Sequence, residues 1–184
     1  MSLHQPGADA VINGHWQFNK TRLELSLAAS INRNKIFGPI KTAGKISDTS
    51  TFTNTLFGIE ERTTLEKDQP RHKIIFSSTI NKGKFGLRLA NTLFGSTGTA
   101  KIVTSPTDTL YEYFSSKILT DISINYTPGS WITITAGANN VFDVYPDRLQ
   151  NQRSFVDKTF GYSNGASPFG YNGGYYFIGM SFNW

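Results

Sequence analysis

The chain has 184 residues, 38% hydrophobic and 17% charged, with 14% aromatic residues, 17 Gly, no Cys and a formal charge of +5. It is too apolar for a disordered chain, and the absence of Cys excludes a disulfide framework and any Cys-based zinc or iron-sulfur site. The three aperiodic stretches described below hold eight Lys/Arg and nine Asp/Glu, the remainder ten and four, with no block of like charge, which argues against a phosphate-tracking stripe for nucleic acid.

Residues 1–7 read as a leader ahead of the fold. No basic-then-apolar signal peptide opens the sequence, and no apolar run approaches the roughly 20 residues of a membrane helix. The chain is therefore either soluble or crosses a membrane as strands, with an export signal encoded upstream. From Ala8 the period is two: Ala8, Ala10, Ile12, Gly14, Trp16 and Phe18 alternate with Asp9, Val11, Asn13, His15 and Gln17. This predicts a strand over about 8–19, a tight turn at Asn19-Lys20-Thr21, and a return strand over 22–35 with Leu23, Leu25, Leu27, Ala29 and Ile31 on one side. On a helix that Leu spacing would place successive side chains about 200° apart.

Residues 36–70 have no sustained period and read as a long loop with some internal strand structure. Pairing resumes over 71–81, turns at Asn81-Lys82-Gly83-Lys84, and returns over 84–94. A second aperiodic stretch, 95–110, precedes a strand over 111–127, the turn signal Pro128-Gly129-Ser130, and a strand over 131–141. A third loop, 142–173, is rich in Gly and leads to the last strand, 174–184. Its residues Tyr176, Ile178, Met180, Phe182 and Trp184 share one face.

The expectation is an all-β fold, an antiparallel up-and-down meander of about seven strands, with short turns at one end and long loops at the other. Aromatic residues gather at the strand ends. Trp16, Phe18, Phe85, Tyr126, Trp131, Phe182 and Trp184 lie near the turns, and Phe37, Phe94, Tyr111, Phe142, Tyr145, Tyr175 and Tyr176 near the loops. Leu, Ile, Ala and Met fill the band between. The opposite faces carry Asp9, His15, Arg22, Glu24, Lys73, Arg88, Lys117 and Asp121. Aromatic girdles around an aliphatic band, with alternate positions polar, form the pattern of an outer-membrane barrel, because strands in lipid must satisfy every backbone group by pairing. A soluble antiparallel barrel or sandwich that binds a small ligand or carbohydrate makes the same alternation and remains the other reading; it leaves the girdles without a cause.

No catalytic motif is present: G-x-S-x-G, H-E-x-x-H and the phosphate-cradling G-x-x-x-x-G-K-[ST] are all missing, so no enzyme, cofactor or metal is expected. His4, His15 and His72 are far apart, and Glu60, Glu61, Glu66 and Asp68 read as a solvated loop face before a divalent-cation site. Tyr162, Phe169 and Tyr171 are candidate substrate contacts, since aromatic rings offer stacking surfaces and the surrounding Gly residues allow close approach. Arg22, Lys73, Arg88 and Lys117 on a wet face would favour anionic cargo.

The run Ala136-Gly137-Ala138-Asn139-Asn140-Val141-Phe142-Asp143-Val144-Tyr145-Pro146-Asp147, followed by a Gly-rich loop and an aromatic last strand, resembles the end of TonB-dependent receptors. Their penultimate strand closes in a similar N-N-L-F-D-x-Y-P run, matched here by Asn139, Asn140, Phe142, Asp143, Tyr145 and Pro146. Gln69-Pro70-Arg71-His72-Lys73 and Lys82-Gly83-Lys84-Phe85 look like that family's late hairpins, and the resemblance covers nearly all of 8–184. The family usually ends in Phe; Trp184 departs from that but keeps an aromatic ring.

The resemblance implies that residues 8–184 are the C-terminal part of a 22-stranded barrel in a Gram-negative outer membrane. It implies import of a scarce nutrient (siderophore-iron, cobalamin or an oligosaccharide), coupled to the TonB energy protein through an upstream part of the chain. Outer-membrane lipid and the upstream plug and strands would be the partners, and the last strand would serve barrel assembly.

Overall fold

The computed structural model describes residues 2–38, 58–104, 107–151, 153 and 160–184. Seven strands form one antiparallel sheet: β2 (Gly7–Phe18), β3 (Thr21–Asn32), β5 (His72–Lys82), β6 (Phe85–Phe94), β9 (Lys117–Gly129), β10 (Ile132–Asn139) and β11 (Tyr175–Phe182). They pair in the order β11-β10-β9-β6-β5-β3-β2, a continuous meander. The three turns are two residues long, at Asn19-Lys20, Gly83-Lys84 and Ser130-Trp131. Asn19 (φ 55°) and Gly83 (φ 60°) supply the left-handed conformation that tight hairpins need, and both are residue types that adopt it at low cost.

The register carries the period of two across the whole sheet. One row runs Trp16, Leu23, Ile80, Leu87, Ile124, Ala136, Ile178; the next, on the other face, runs Gln17, Arg22, Asn81, Gly86, Asn125, Thr135, Gly179. On the apolar face of these strands Lys82 is the one Lys, Arg, Asp or Glu, and it lies in the row next to the turns, paired with Thr21 and Phe85. Asp9, Arg22, Glu24, Lys73, Arg88, Lys117 and Asp121 all fall on the opposite face. Stacked pairs mark the turn end: Phe85 on Tyr126 at 4.8 Å and Trp131 on Phe182 at 6.5 Å.

Among the described residues no second sheet or helix layer covers either face, and on the apolar face Thr120, Ile132 and Ala138 are buried. Ile12 is 68% exposed, Ile178 73% and Tyr176 81%, and no large side chain among the described residues is fully buried. The accessible surface is 12366 Å², against roughly 8,800 Å² for a compact soluble chain of this mass. The edge strands β2 and β11 are exposed almost throughout.

Among the described residues four further strands, in two separate pairs, and one helix lie at the loop end. β1 (Ser2–His4) pairs with β4 (Lys35–Phe37), and β7 (Thr97–Ile102) with β8 (Thr109–Phe114). The stretch 95–110, expected to be aperiodic loop, is thus mostly hairpin, and the strand expected over 111–127 divides into β8 and β9. Of the stretch 36–70, expected to be a long loop with some internal strand structure, the described residues hold the end of β4 and a helix the sequence did not announce, α1 (Ile59–Lys67); residues 39–57 lie outside the described ones. α1 packs along β7 and touches β4, and it ends five residues before β5 begins. Two of its carboxylates bind open strand amides: Glu66 accepts from the Ile36 N–H at 2.9 Å, and Glu60 from the Ile102 N–H. The small buried cluster Phe114, Leu149 and Ala166 also lies at this end.

Candidate functional site

The loop end is where side chains converge. After β10 the chain continues beside β9 and β8, held by one acceptor after another. The Val141 N–H donates to the Thr120 carbonyl and the Asn140 N–H to the Asp121 carboxylate, at 2.8 and 2.7 Å. Asn140 sits at φ 49°, and its side chain donates to the Val144 carbonyl at 2.8 Å while accepting from the Val144 N–H at 3.0 Å. Asp143, at φ 55°, accepts from the Gly174 N–H at 2.8 Å, which returns the chain to the start of β11. Gly173 (φ 69°) has no room for a Cβ, which would strike the Tyr145 hydroxyl and the Asp143 carboxylate. That neighbouring Asp143 charge pushes the Tyr145 phenol above its ordinary value, with burial adding to the effect.

The family-like residues therefore make a turn. Asn140, Asp143 and Tyr145 are its internal contacts, Pro146 is buried, and Phe142 points outward. Asn139 pairs with Tyr175 as the last rung between β10 and β11.

Beyond the turn, carboxylates moor the loop. Asp147 accepts from the Ser115 N–H and hydroxyl, each at 2.6 Å, and from Lys117 Nζ at 2.5 Å. Burial alone would raise its pKa; the bonds from Lys117 and Ser115 outweigh burial and hold it below the ordinary carboxylate value. Glu112, 5% exposed, accepts from the Gln150 and Asn151 N–H groups at 2.9 and 3.0 Å. Asp108 binds Thr104 and Arg153, and those bonds lower its pKa, Thr104 contributing most. The loop then crosses to β7, where the Thr97 hydroxyl donates to the Ala166 carbonyl at 2.5 Å.

The candidate contact residues separate into two groups. Tyr162 and Tyr171 come together at 5.2 Å, with Phe160 edge-on to both, and Arg148 stands 5.5 Å over the Tyr162 ring. The Tyr171 hydroxyl donates to the Ser163 carbonyl at 2.5 Å, which fixes that ring. Phe169 is elsewhere, 5.4 Å from Phe94, whose ring also carries Lys73 at 5.1 Å. Arg148, absent from the sequence expectation, adds a cation to a stacking surface that composition alone suggested; its only sequence signal is a position two residues beyond the Tyr145-Pro146 pair.

Three of the seven charged side chains of the polar face, Arg22, Glu24 and Lys117, are in ion pairs. Arg22 pairs with Glu24 at 2.6 Å, beside a cleft of about 360 Å³ that includes Asn13, His15, Ser26 and Ser77; Lys117 is taken by Asp147; Arg88 lies across from Thr79 and Ser123. Glu60 and Glu66 are occupied by strand amides. Asp68 is buried, its pKa raised by that burial against a smaller opposing effect of the Thr64 hydrogen bond. No group of three or more His, Asp or Glu able to hold a metal occurs among the described residues. Tyr176, Ile178, Met180 and Phe182 line the apolar face of β11, with Trp184 exposed beyond it. None of the helices among the described residues is long and apolar enough to cross a membrane. No protein-family model and no curated protein matches the chain.

Proposed function

We propose that residues 8–184 form a wall segment of an outer-membrane β-barrel, the C-terminal part of a TonB-dependent receptor that imports a scarce nutrient. The observation that carries the reading is the sorting of side chains across all seven strands combined with the absence, among the described residues, of a second layer over the apolar face. In water this leaves exposed a run of large apolar side chains on one face, among them Ile12, Ile118, Ile124 and Ile178, a kind of contiguous patch that soluble proteins keep small. In a bilayer that face is solvated by acyl chains, and a Lys or Arg at its midplane would cost about 2–4 kcal/mol. Its single Lys82 sits in the row at the turn end, where the cost falls to about 0–1 kcal/mol. The resemblance of 136–147 to the receptor family selects the kind of barrel.

On this reading the polar face lines the lumen, and the free edges of β2 and β11 pair with further strands of the same 22-stranded wall. The Tyr162–Tyr171–Phe160 cluster with Arg148 then lies in the outward loops, a stacking surface for a sugar ring or planar chelate. Energy coupling belongs to the upstream plug and its contact with TonB. The wall segment contributes enclosure and ligand capture, with no chemistry of its own.

Refolding the chain from urea tests this. Strand structure should form in detergent or lipid vesicles, and vesicles holding only these 184 residues should take up no substrate. A stable monomer in plain buffer, or uptake by the isolated chain, would contradict the reading.

A further inference from the structure

A cleft of about 210 Å³ lies where the end of α1 meets the β7–β8 hairpin, lined by Lys67, Gln69, Arg71, Ser96, Gly98 and Tyr113. Its chemistry differs from that of the aromatic cluster. Lys67 Nζ donates to the Tyr113 hydroxyl at 3.2 Å and stands 5.1 Å over the same ring. Tyr113 is placed by its pairing opposite Gly98, where a side chain would press on the ring at 3.1 Å. The ammonium is thus positioned by a neutral partner that leaves its charge uncompensated. Among the described residues neither Lys67 nor Arg71 is in an ion pair, a state they share with Lys73 and Arg88, whereas Arg22, Lys117 and Arg153 are paired.

The nearby acids are turned away. Glu66 and Glu60 bind strand amides, Glu112 binds the amides of Gln150 and Asn151, and Asp68 is buried with its carboxylate against Gly165. Two cations without counter-charges, a side-chain amide and the hydroxyls of Ser96 and Tyr113 therefore share one concavity; the third hydroxyl of its lining, on Thr97, is committed to the Ala166 carbonyl.

We propose that this cleft binds the oxyanion group, phosphate or carboxylate, of a small soluble ligand, with Lys67 and Arg71 supplying charge and Gln69, Ser96 and Tyr113 the neutral hydrogen bonds. The site stands apart from the lumen cations and from the aromatic cluster, and it does not depend on the transport reading.

The test is calorimetric titration of the detergent-solubilised chain with inorganic phosphate and with citrate at fixed ionic strength, alongside micelles doped with a phosphate-bearing lipid. Saturable one-to-one binding of a soluble anion is expected. Lys67→Met and Arg71→Met should each weaken it about tenfold or more, as loss of a charged hydrogen-bond donor does. Lys67→Arg should restore most of it, and Lys84→Met, at the turn end, should leave it unchanged. Far-UV circular dichroism separates loss of binding from loss of fold. The proposal is overturned by any of three results: no saturable binding of either anion, equal weakening by Lys84→Met, or binding of the lipid phosphate alone.

Discussion

Thr120 donates its hydroxyl to the side-chain oxygen of Asn91 at 2.8 Å, directly across the β6–β9 pair and on the face that is otherwise mainly aliphatic. Thr120 is 8% exposed and Asn91 half-buried, so water can still reach the amide and hold the net worth of the bond to about 1 kcal/mol or less. In hydrocarbon neither group would find another partner, so losing one side of the pair is expected to cost more if the face meets lipid.

A double-mutant cycle reads that difference. For protein folded in lipid, Thr120→Val and Asn91→Leu should show a coupling on the order of 1 kcal/mol, as interhelical hydrogen bonds in membranes do. The double variant should be as stable as the parent or more so. Zero coupling would mean the pair is wet.

Glu112 is the acceptor for two successive amides of the long loop. Glu112→Ala would strand both donors beside β8, at a cost of about 1–3 kcal/mol each where they stay buried. Proteolysis within 142–173 should accelerate several-fold while amide exchange in β5, β6 and β9 stays slow. Glu112→Gln, which keeps one acceptor oxygen, should fall between. Loss of the whole sheet in Glu112→Ala would show that the hairpin and loop fold as one unit with the seven-stranded sheet.

Asp147 gives the loop a pH dependence whose sign follows from its lowered pKa. The mooring to Lys117 and Ser115 is fully present above the ordinary carboxylate value of 3.8 and is lost as pH falls through the lower folded value. Exchange of the Ser115 amide should therefore speed up on acidification below that value, an effect Asp147→Asn removes. An unchanged pH profile in that variant would assign the transition to another group.

The meander was legible in the sequence because a strand with two different environments writes its period into every second residue: Leu23, Leu25 and Leu27 could lie together only on a strand. The pairing order followed from the short turns, Asn19 and Gly83 marking two of them. α1 was illegible for the opposite reason. Ile59-Glu60-Glu61-Arg62-Thr63-Thr64-Leu65-Glu66-Lys67 has no apolar stripe, and its place depends on Glu60 and Glu66 meeting amides 42 and 30 residues away.

The site was half legible. Tyr162 and Tyr171, named with Phe169 as candidate contacts, pack on each other, and nothing local tells Phe169 to lie against Phe94 instead. Lys67 and Arg71, ordinary in sequence, acquire their meaning only from Tyr113, 46 residues beyond Lys67.

The central claim, that one face of the sheet meets lipid and the other water, is tested most directly by a spin-label scan of β9. The chain has no Cys, so a single Cys placed at each position from 118 to 126 in turn carries the only label. In lipid vesicles, oxygen accessibility should peak at Ile118, Ile122, Ile124 and Tyr126, and accessibility to a water-soluble nickel chelate at Leu119, Asp121, Ser123 and Asn125. Absence of that two-residue alternation, or greater access of the nickel chelate to the Ile positions, would contradict the account.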